Sequence, residues 1–283
     1  MSRVAVVTDS ASDLSPARAA ALGITIVPLV VNFGSQAYKA GVDIFTDEFW
    51  ARMTAPDAPF PTTAAASPGD FQVAYERCFA DGADSIVSIH VAGTLSGSIK
   101  SAQVAAGLLA GREIHVVDSM LASMGQGVLA ELAVEMTGRG STGAEIAAAV
   151  TARREDIGVY LALDTLEYLR RGGRISGTQA AIGTLLAVKP IIKIADGLVE
   201  TVDRVRTKGK ARERLIELLC TRPMERLSVL HTTNAGVDEF VSELVARVPG
   251  GIDPARVTVD LVGPSVGPHL GPGCVGGVAL YRS

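Results

Sequence analysis

The sequence predicts an α/β protein made of two α/β domains. Three observations carry that prediction. Short apolar runs alternate with amphipathic helical patterns through the first half. This is the order of a mostly parallel sheet with helices on both faces. In the second half Asp196-Gly197 lies between two apolar runs amid helical patterns, a strong hairpin signal that points to a mixed sheet. The length of 283 residues also suits one large or two ordinary domains. We place the boundary near residue 157, so the expected domains are 1–157 and 158–283. No Pro/Ser-rich linker marks it, so close packing of the two is expected.

The elements follow in order. Arg3–Thr8 reads as a strand, then a helix over Pro16–Leu22 stops at Gly23. Ile24–Phe33 reads as a second strand, with Pro28 marking an edge or a bulge. Ser67-Pro68 starts a helix, Ser as N-cap and Pro at the first position, and Phe71, Tyr75 and Cys78 recur at roughly helical spacing. A strand at Ser85–Val91, a helix from about Gly97 to Ala110 and a strand at Glu113–Asp118 come next. Helices over Ala122–Thr137 and Thr142–Glu155 close the first domain, the second opened by a Thr142-to-Glu145 capping box. Beyond it, Val159–Leu163 is apolar and Thr165–Arg171 is a helix ending at Gly172. Ile191–Ala195 and Leu198–Val205 form the hairpin. Helix, strand, helix and strand follow at Lys208–Thr221, Leu227–Thr232, Val237–Val248 and Arg256–Val262, and Val275–Tyr281 is the last strand.

Composition excludes several classes. A net charge of −4 and a pI of about 5.6 offer no basic surface for nucleic acid. No apolar run approaches the roughly 18 residues of a membrane span. Only Val4–Val7 precede Asp9 as an apolar run, so no signal peptide is expected. Three dispersed cysteines, Cys78, Cys220 and Cys274, argue against a disulfide framework or a zinc site and for a reducing, cytoplasmic setting. The mean hydropathy of +0.31 fits a well-packed α/β core or, less simply, a core that also encloses an apolar ligand cavity.

Two enzyme motifs match without their context. Gly263-Pro264-Ser265-Val266-Gly267 fits G-x-S-x-G, but Pro268, Gly271, Pro272 and Gly273 should not start a regular helix, and no acid lies between Ser265 and His269. Gly271-Pro272-Gly273-Cys274-Val275-Gly276 fits G-x-G-x-x-G, but seven residues remain where a helix, a strand and an acid are needed. Asp9 and Asp13 follow the first strand and could serve a metal or acid–base chemistry; capping of the next helix by Ser12 and Asp13 is the simpler reading. His90 and His115 alternate with apolar neighbours, as outward-facing or satisfied strand histidines do.

Other segments suit anions. Thr94-Leu95-Ser96-Gly97-Ser98 follows a strand and opens a helix, where hydroxyls and free N–H groups can hold a carboxylate or phosphate, or simply cap the helix. Thr62-Thr63 precedes the Ser67-Pro68 helix. Arg170, Arg171 and Arg174 surround Gly172-Gly173, and Arg206, Lys208 and Lys210 repeat the theme. His269 sits on a loop of Gly and Pro, a place for a titratable site rather than a core.

In order along the chain, Thr8-Asp9-Ser10-Ala11-Ser12-Asp13-Leu14, Gly41-Val42-Asp43-Ile44, Thr63 with Ser67-Pro68, Leu95-Ser96-Gly97 and Val117-Asp118-Ser119 form one series. Gly172-Gly173-Arg174-Ile175-Ser176, Lys189-Pro190-Ile191, Arg206-Thr207 with Lys210-Ala211, and Gly267-Pro268-His269-Leu270-Gly271-Pro272-Gly273 complete it. The whole chain thereby resembles the DegV family, the fatty-acid-binding (FakB-type) subunits of the bacterial fatty acid kinase system. The resemblance implies two α/β domains with a long-chain fatty acid, such as palmitate, stearate or oleate, bound between them in an apolar tunnel. It implies that Thr63, Ser96 and His269 meet the carboxylate, and that Arg174 and Arg206 lie at the rim facing a fatty acid kinase catalytic subunit. It implies a lipid-binding protein of phospholipid metabolism, with no catalytic residue, cofactor or metal of its own, and with at most transient membrane contact. The family commonly reads Thr-Ser-Gln-Pro-Ser where Thr63-Ala64-Ala65-Ala66-Ser67 stands, and a Ser pair where Ala92-Gly93 stands. After Gly97 it commonly reads Thr-Tyr-Gln, here Ser98-Ile99-Lys100. The competing expectation is a serine/histidine-type esterase or other small hydrolase using Ser265 or Ser96 with His269.

Overall fold

The computed structural model describes residues 3–175, 188–232 and 235–282. Ser176, the last residue of the Gly172-Gly173 motif, lies outside the described residues. The chain divides into two compact units, Met1–Arg154 with Gly263–Ser265, and Glu155–Val262 with Val266–Ser283.

The first unit holds β1 (Val4–Asp9), α1 (Pro16–Leu22), β2 (Ile24–Val27), β3 (Val30–Phe33), β4 (Gln36–Lys39), α2 (Thr46–Met53), β5 (Thr62–Ala64) and α3 (Pro68–Ala80). It continues with β6 (Ser85–His90), α4 (Ser98–Leu108), β7 (Glu113–Asp118), α5 (Met124–Gly138) and α6 (Gly143–Arg153). Strands β2-β1-β6-β7 form a parallel sheet in that order. The chain runs outward from β1 to β2 and then returns to β6 on the other side, so the sheet's switch point lies between β1 and β6. Ligand crevices of open parallel sheets form at the strand carboxyl ends at such points. Phe71, Tyr75 and Cys78 of α3 and Ala102 and Ala105 of α4 close over Val7, Val27 and Ile86. Burying each of the large side chains contributes about 1.5–3 kcal/mol.

The expected single strand over Ile24–Phe33 is two. Pro28 has no N–H to continue a ladder, and the chain leaves the parallel sheet there. Past it, β3 joins an antiparallel sheet of order β4-β3-β5. Strands β4 and β5, of four and three residues, and the eight-residue helix α2, which buries Phe49 and Trp50, have no counterpart among the expected elements. The cap of α1 also differs. Ser15, not Ser12 or Asp13, accepts the Arg18 N–H at 3.2 Å, because Ser10–Ser12 form a 3₁₀ turn capped by Asp9.

The second unit holds β8 (Ile157–Ala162), α7 (Glu167–Arg171), β9 (Lys189–Ala195), β10 (Leu198–Val205) and α8 (Lys208–Leu219). It closes with β11 (Met224–His231), α9 (Val237–Ala246), β12 (Val257–Leu261), α10 (Gly267–Leu270) and β13 (Val275–Tyr281). Its sheet has the order β10-β9-β8-β13-β11-β12 and is mixed, with β11–β12 parallel and the other pairs antiparallel. The hairpin turns at Asp196 (φ 51°) and Gly197 (φ 73°), the two left-handed positions that an Asp-Gly turn supplies. The one-turn α10 corrects the expectation that no helix follows Ser265. Pro268 sits in its first turn, where a missing N–H costs nothing, and Gly271 (φ 70°) ends it.

Candidate functional site

In the first unit, Thr63 lies half-buried at the centre of β5, paired with Val31 of β3. The segment after it is anchored by a full capping box on α3. The Asp70 N–H donates to Ser67 Oγ at 3.2 Å, and the Ser67 N–H donates to Asp70 Oδ2 at 3.0 Å. The Ser67 hydroxyl, donating to Asp70 Oδ2 at 2.5 Å, and Lys39 Nζ at 2.9 Å hold the Asp70 carboxyl below the usual range. Ser96 is half-buried in the turn that leaves β6 at the switch point. Its Oγ accepts the Ser98 N–H at 3.3 Å and lies 3.1 Å from Ser98 Oγ. A Cβ on Gly97 would sit 3.6 Å from the Ala65 methyl, so the Thr63 segment and the Ser96 turn are neighbours. Gly93, where the family commonly has a hydroxyl, is explained locally. A Cβ there would lie 3.0 Å from Ile99 and 3.1 Å from Asp118, which accepts the Gly93 N–H at 3.2 Å.

Behind this turn runs a buried polar chain. Tyr75 donates to Ser88 Oγ at 2.9 Å, Ser88 Oγ lies 2.7 Å from His90 Nε2, and His90 Nδ1 lies 3.0 Å from Asp9 Oδ2. Asp9, Ser88 and His90 have no exposed surface. Period-2 reasoning left an outward-facing His90 open; the structure has it inward and satisfied. As an inner strand of a parallel sheet, β6 is buried on both faces. Asp13 takes φ 55° and accepts from Ser123 Oγ at 2.5 Å and from the Gly263 N–H at 2.9 Å. It works as an anchor rather than a helix cap. Ser265 Oγ is paired with Ser10 Oγ at 2.7 Å, and Ser10 Oγ accepts the Leu29 N–H at 2.8 Å.

In the second unit, His269 stands in α10 against α7. A Cβ on Gly172 would collide with His269 Nδ1. Gly172 has φ −73°, open to any residue, so the ring, not the backbone, requires glycine there. Tyr168 lies where a Gly271 Cβ would be, and Thr232 Oγ1 ties the loop by donating to the Gly271 carbonyl and accepting the Cys274 N–H, each at 2.9 Å. Burial pushes the His269 imidazole down to about 4, and the nearby Arg174 charge lowers it further. It is therefore neutral near pH 7, able to donate from one ring nitrogen. Burial also lowers the half-buried Arg174. Arg174 is oriented by its N–H to the Leu169 carbonyl at 2.9 Å and its Nη1 to the Gly172 carbonyl at 2.5 Å.

The structure thus groups Thr63 with Ser96, and His269 with Arg174. Arg206 is exposed in the turn from β10 to α8, next to Thr207, which caps α8 by accepting the Lys210 N–H at 3.2 Å. Sequence reasoning missed the bearing of Gly172 on His269. The adjacent pair Gly172-Gly173 was the available signal, since only Gly173 (φ 70°) needs glycine for its turn. Among the described residues no group of three or more His, Cys, Asp or Glu could hold a metal ion, and no helix is long and apolar enough to cross a membrane.

The family model described as "Uncharacterised protein, DegV family" matches residues 3–282. The chain belongs to the DegV family. A DegV domain-containing protein of Streptomyces coelicolor is 39% identical over 100% of both chains, and one of Mycobacterium tuberculosis is 34% identical over 96% of this chain and 95% of its own. Among solved structures, a fatty-acid-binding DegV family protein from Thermus thermophilus is 34% identical, with a TM-score of 0.87 over 99% of this chain and 100% of that one. DegV of Bacillus subtilis, a fatty acid binding protein, is 28% identical, with a TM-score of 0.88 over 100% of both. A stearic acid-binding protein from Eubacterium ventriosum is 27% identical, with a TM-score of 0.88 over 99% of this chain and 98% of that one. The DegV fold of this chain is accordingly a parallel-sheet unit and a mixed-sheet unit.

Proposed function

We propose that this DegV-family chain binds a long-chain fatty acid and presents its carboxylate to a fatty acid kinase catalytic subunit. The observation that carries the reading is His269, neutral by burial, seated on Gly172 beside Arg174. A neutral imidazole with a guanidinium near it favours an arriving anion. A carboxylate taken from water needs several donors, and in this reading the hydroxyls of Thr63 and Ser96 and the His269 N–H supply them. The acyl chain supplies the affinity, about 0.8 kcal/mol per buried methylene and on the order of 10 kcal/mol gross. The head group then mainly sets orientation, which matters when a second protein must reach one oxygen. The fatty acids bound by the relatives from Thermus thermophilus, Bacillus subtilis and Eubacterium ventriosum support the ligand class.

Organic extraction of the purified protein followed by mass spectrometry tests the binding. An acyl chain is expected; its absence, together with no binding of added palmitate or oleate, overturns the reading. For presentation, Arg174→Ala or Arg206→Ala should lose coupling to the kinase with lipid binding intact. Retained coupling in both removes the kinase role. The hydrolase alternative gains nothing from the hydroxyls proposed for it. Ser265 is bonded to Ser10 and Ser96 to Ser98, and the Ser88–His90–Asp9 alignment is sealed from solvent. Stoichiometric labelling of Ser96 or Ser265 by an active-site serine probe would revive it.

A further inference from the structure

We propose that the second unit carries a site for a phosphate-like oxyanion, built from Lys189, Lys208 and Arg212 and separate from the His269–Arg174 pair. These residues line a cavity of about 70 Å³ beside the carboxyl end of β8 and the first turn of α8. A buried water needs about 10–15 Å³ of such space, so the cavity admits a small polyatomic ion.

The acid among the lining residues is Asp164, and it is shared. Its Oδ1 lies 2.8 Å from Lys189 Nζ and its Oδ2 3.5 Å from Lys208 Nζ. One carboxylate therefore holds two ammonium groups on the cavity wall, and neither can be fully neutralised by it. Each ammonium has three donors, so donors remain beyond the one facing Asp164. Arg212 completes the wall. Its Nη2 donates to the Ala235 carbonyl at 2.6 Å, and it folds over Gly236, where a Cβ would lie 2.6 Å from the guanidinium and 2.8 Å from Glu239. Counting Lys189, Lys208 and Arg212 against Asp164 and the neighbouring Glu239 still leaves a positive balance.

Two glycines keep the arrangement open. Gly236 admits Arg212, and Gly273 (φ 83°) admits Asp164, with which its Cβ would collide. Both glycines also have positive φ (71° and 83°), so their backbone turns call for glycine as well. Three cations with donors to spare suit an oxyanion with three free oxygens better than a carboxylate with two. Free inorganic phosphate and the phosphate group of an amphiphile share that chemistry. The site does not depend on the fatty acid reading and would stand if that reading failed.

The test is calorimetric titration of the full chain with inorganic phosphate, at ionic strength held constant with sodium chloride. Saturable one-site binding is expected. Lys208→Gln, at an exposed position, should weaken it at least fivefold, and Lys189→Gln with Lys208→Gln should abolish it. Arg206→Ala and His269→Ala should leave it unchanged, with folding of each variant checked by circular dichroism. No saturable binding, equal binding by a folded Lys208→Gln variant, or loss in Arg206→Ala or His269→Ala overturns the proposal. A dodecyl phosphate arm separates the sources. Displacement of bound phosphate by dodecyl phosphate in the native chain supports a site that takes amphiphile head groups. Phosphate binding undisturbed by dodecyl phosphate supports one for the free ion.

Discussion

His90 and His269 are both taken out of water, and the two units treat them in opposite ways. His90 lies inside β6 with Ser88 Oγ 2.7 Å from one ring nitrogen and Asp9 Oδ2 3.0 Å from the other. The Phe71 ring packs edge-on against it at 4.9 Å. His269 has a glycine beneath it and a cation beside it, and its basicity is pushed down to about 4. The first histidine completes a network that an apolar core requires, since buried polar groups cost least when fully bonded. The second is held neutral by burial, with the Arg174 charge near it. A Ser-His-Asp alignment alone is therefore a poor guide to chemistry; access and electrostatic balance decide.

The comparison can be broken first at His90. His90→Ala empties a buried ring volume and removes one of the hydrogen bonds to Asp9 and the one to Ser88, while Asp9 keeps the Ala11 and Val91 N–H groups, and should cost about 3–5 kcal/mol, read from urea unfolding. A loss below about 1 kcal/mol would make the buried chain dispensable. Ser88→Ala removes the middle link and strands the Tyr75 hydroxyl, for an expected loss of about 1–3 kcal/mol. At the other histidine the effect should move from stability to binding. Gly172→Ala displaces the His269 ring and should weaken fatty acid binding about tenfold, roughly 1.4 kcal/mol; the ordinary φ at 172 adds no backbone strain, so its stability loss should stay within the about 1–3 kcal/mol of overpacking. His269→Ala should likewise leave the ligand-free fold intact.

It should also flatten the acid limb of the stability curve. A histidine whose folded value lies below its unfolded value binds more protons unfolded. Stability is then present above about 6.5 and falls as pH drops towards about 4. Matched unfolding at pH 7 and pH 4.5 should show a smaller loss in the variant than in the native chain. The smallest effect sharpens the cause. Arg174→Ala should raise the His269 value only part of the way back, because burial is the larger influence, and NMR titration of the imidazole reads it directly.

Much of the scaffold was legible because its signals are local. Ser67-Pro68, the Thr142–Glu145 capping box and the Asp196-Gly197 turn each act within four residues, and each forms as read. The β3-β4-β5 sheet was not legible, since its strands are short and take their register from one another. Pro28 was recognised as a disturbance, but whether it bends a strand or divides it between two sheets depends on the sheet that receives β3. At the candidate site, Thr63, Ser96, His269, Arg174 and Arg206 were nameable through the ordered motifs. The ring that occupies the space of a Gly172 side chain was not, because it comes from about a hundred residues further along the chain.

The sequence by itself determined the alternation of strands and helices, the helix starts, the hairpin and the family, since these follow from periodicity, capping chemistry and ordered motifs along the chain. Only the tertiary structure decided which histidine is bonded inside a strand and which is held neutral beside a cation, and which glycine serves a turn and which makes room for a ring. Burial and close approach are properties of segments brought together from distant positions, and no local pattern encodes them.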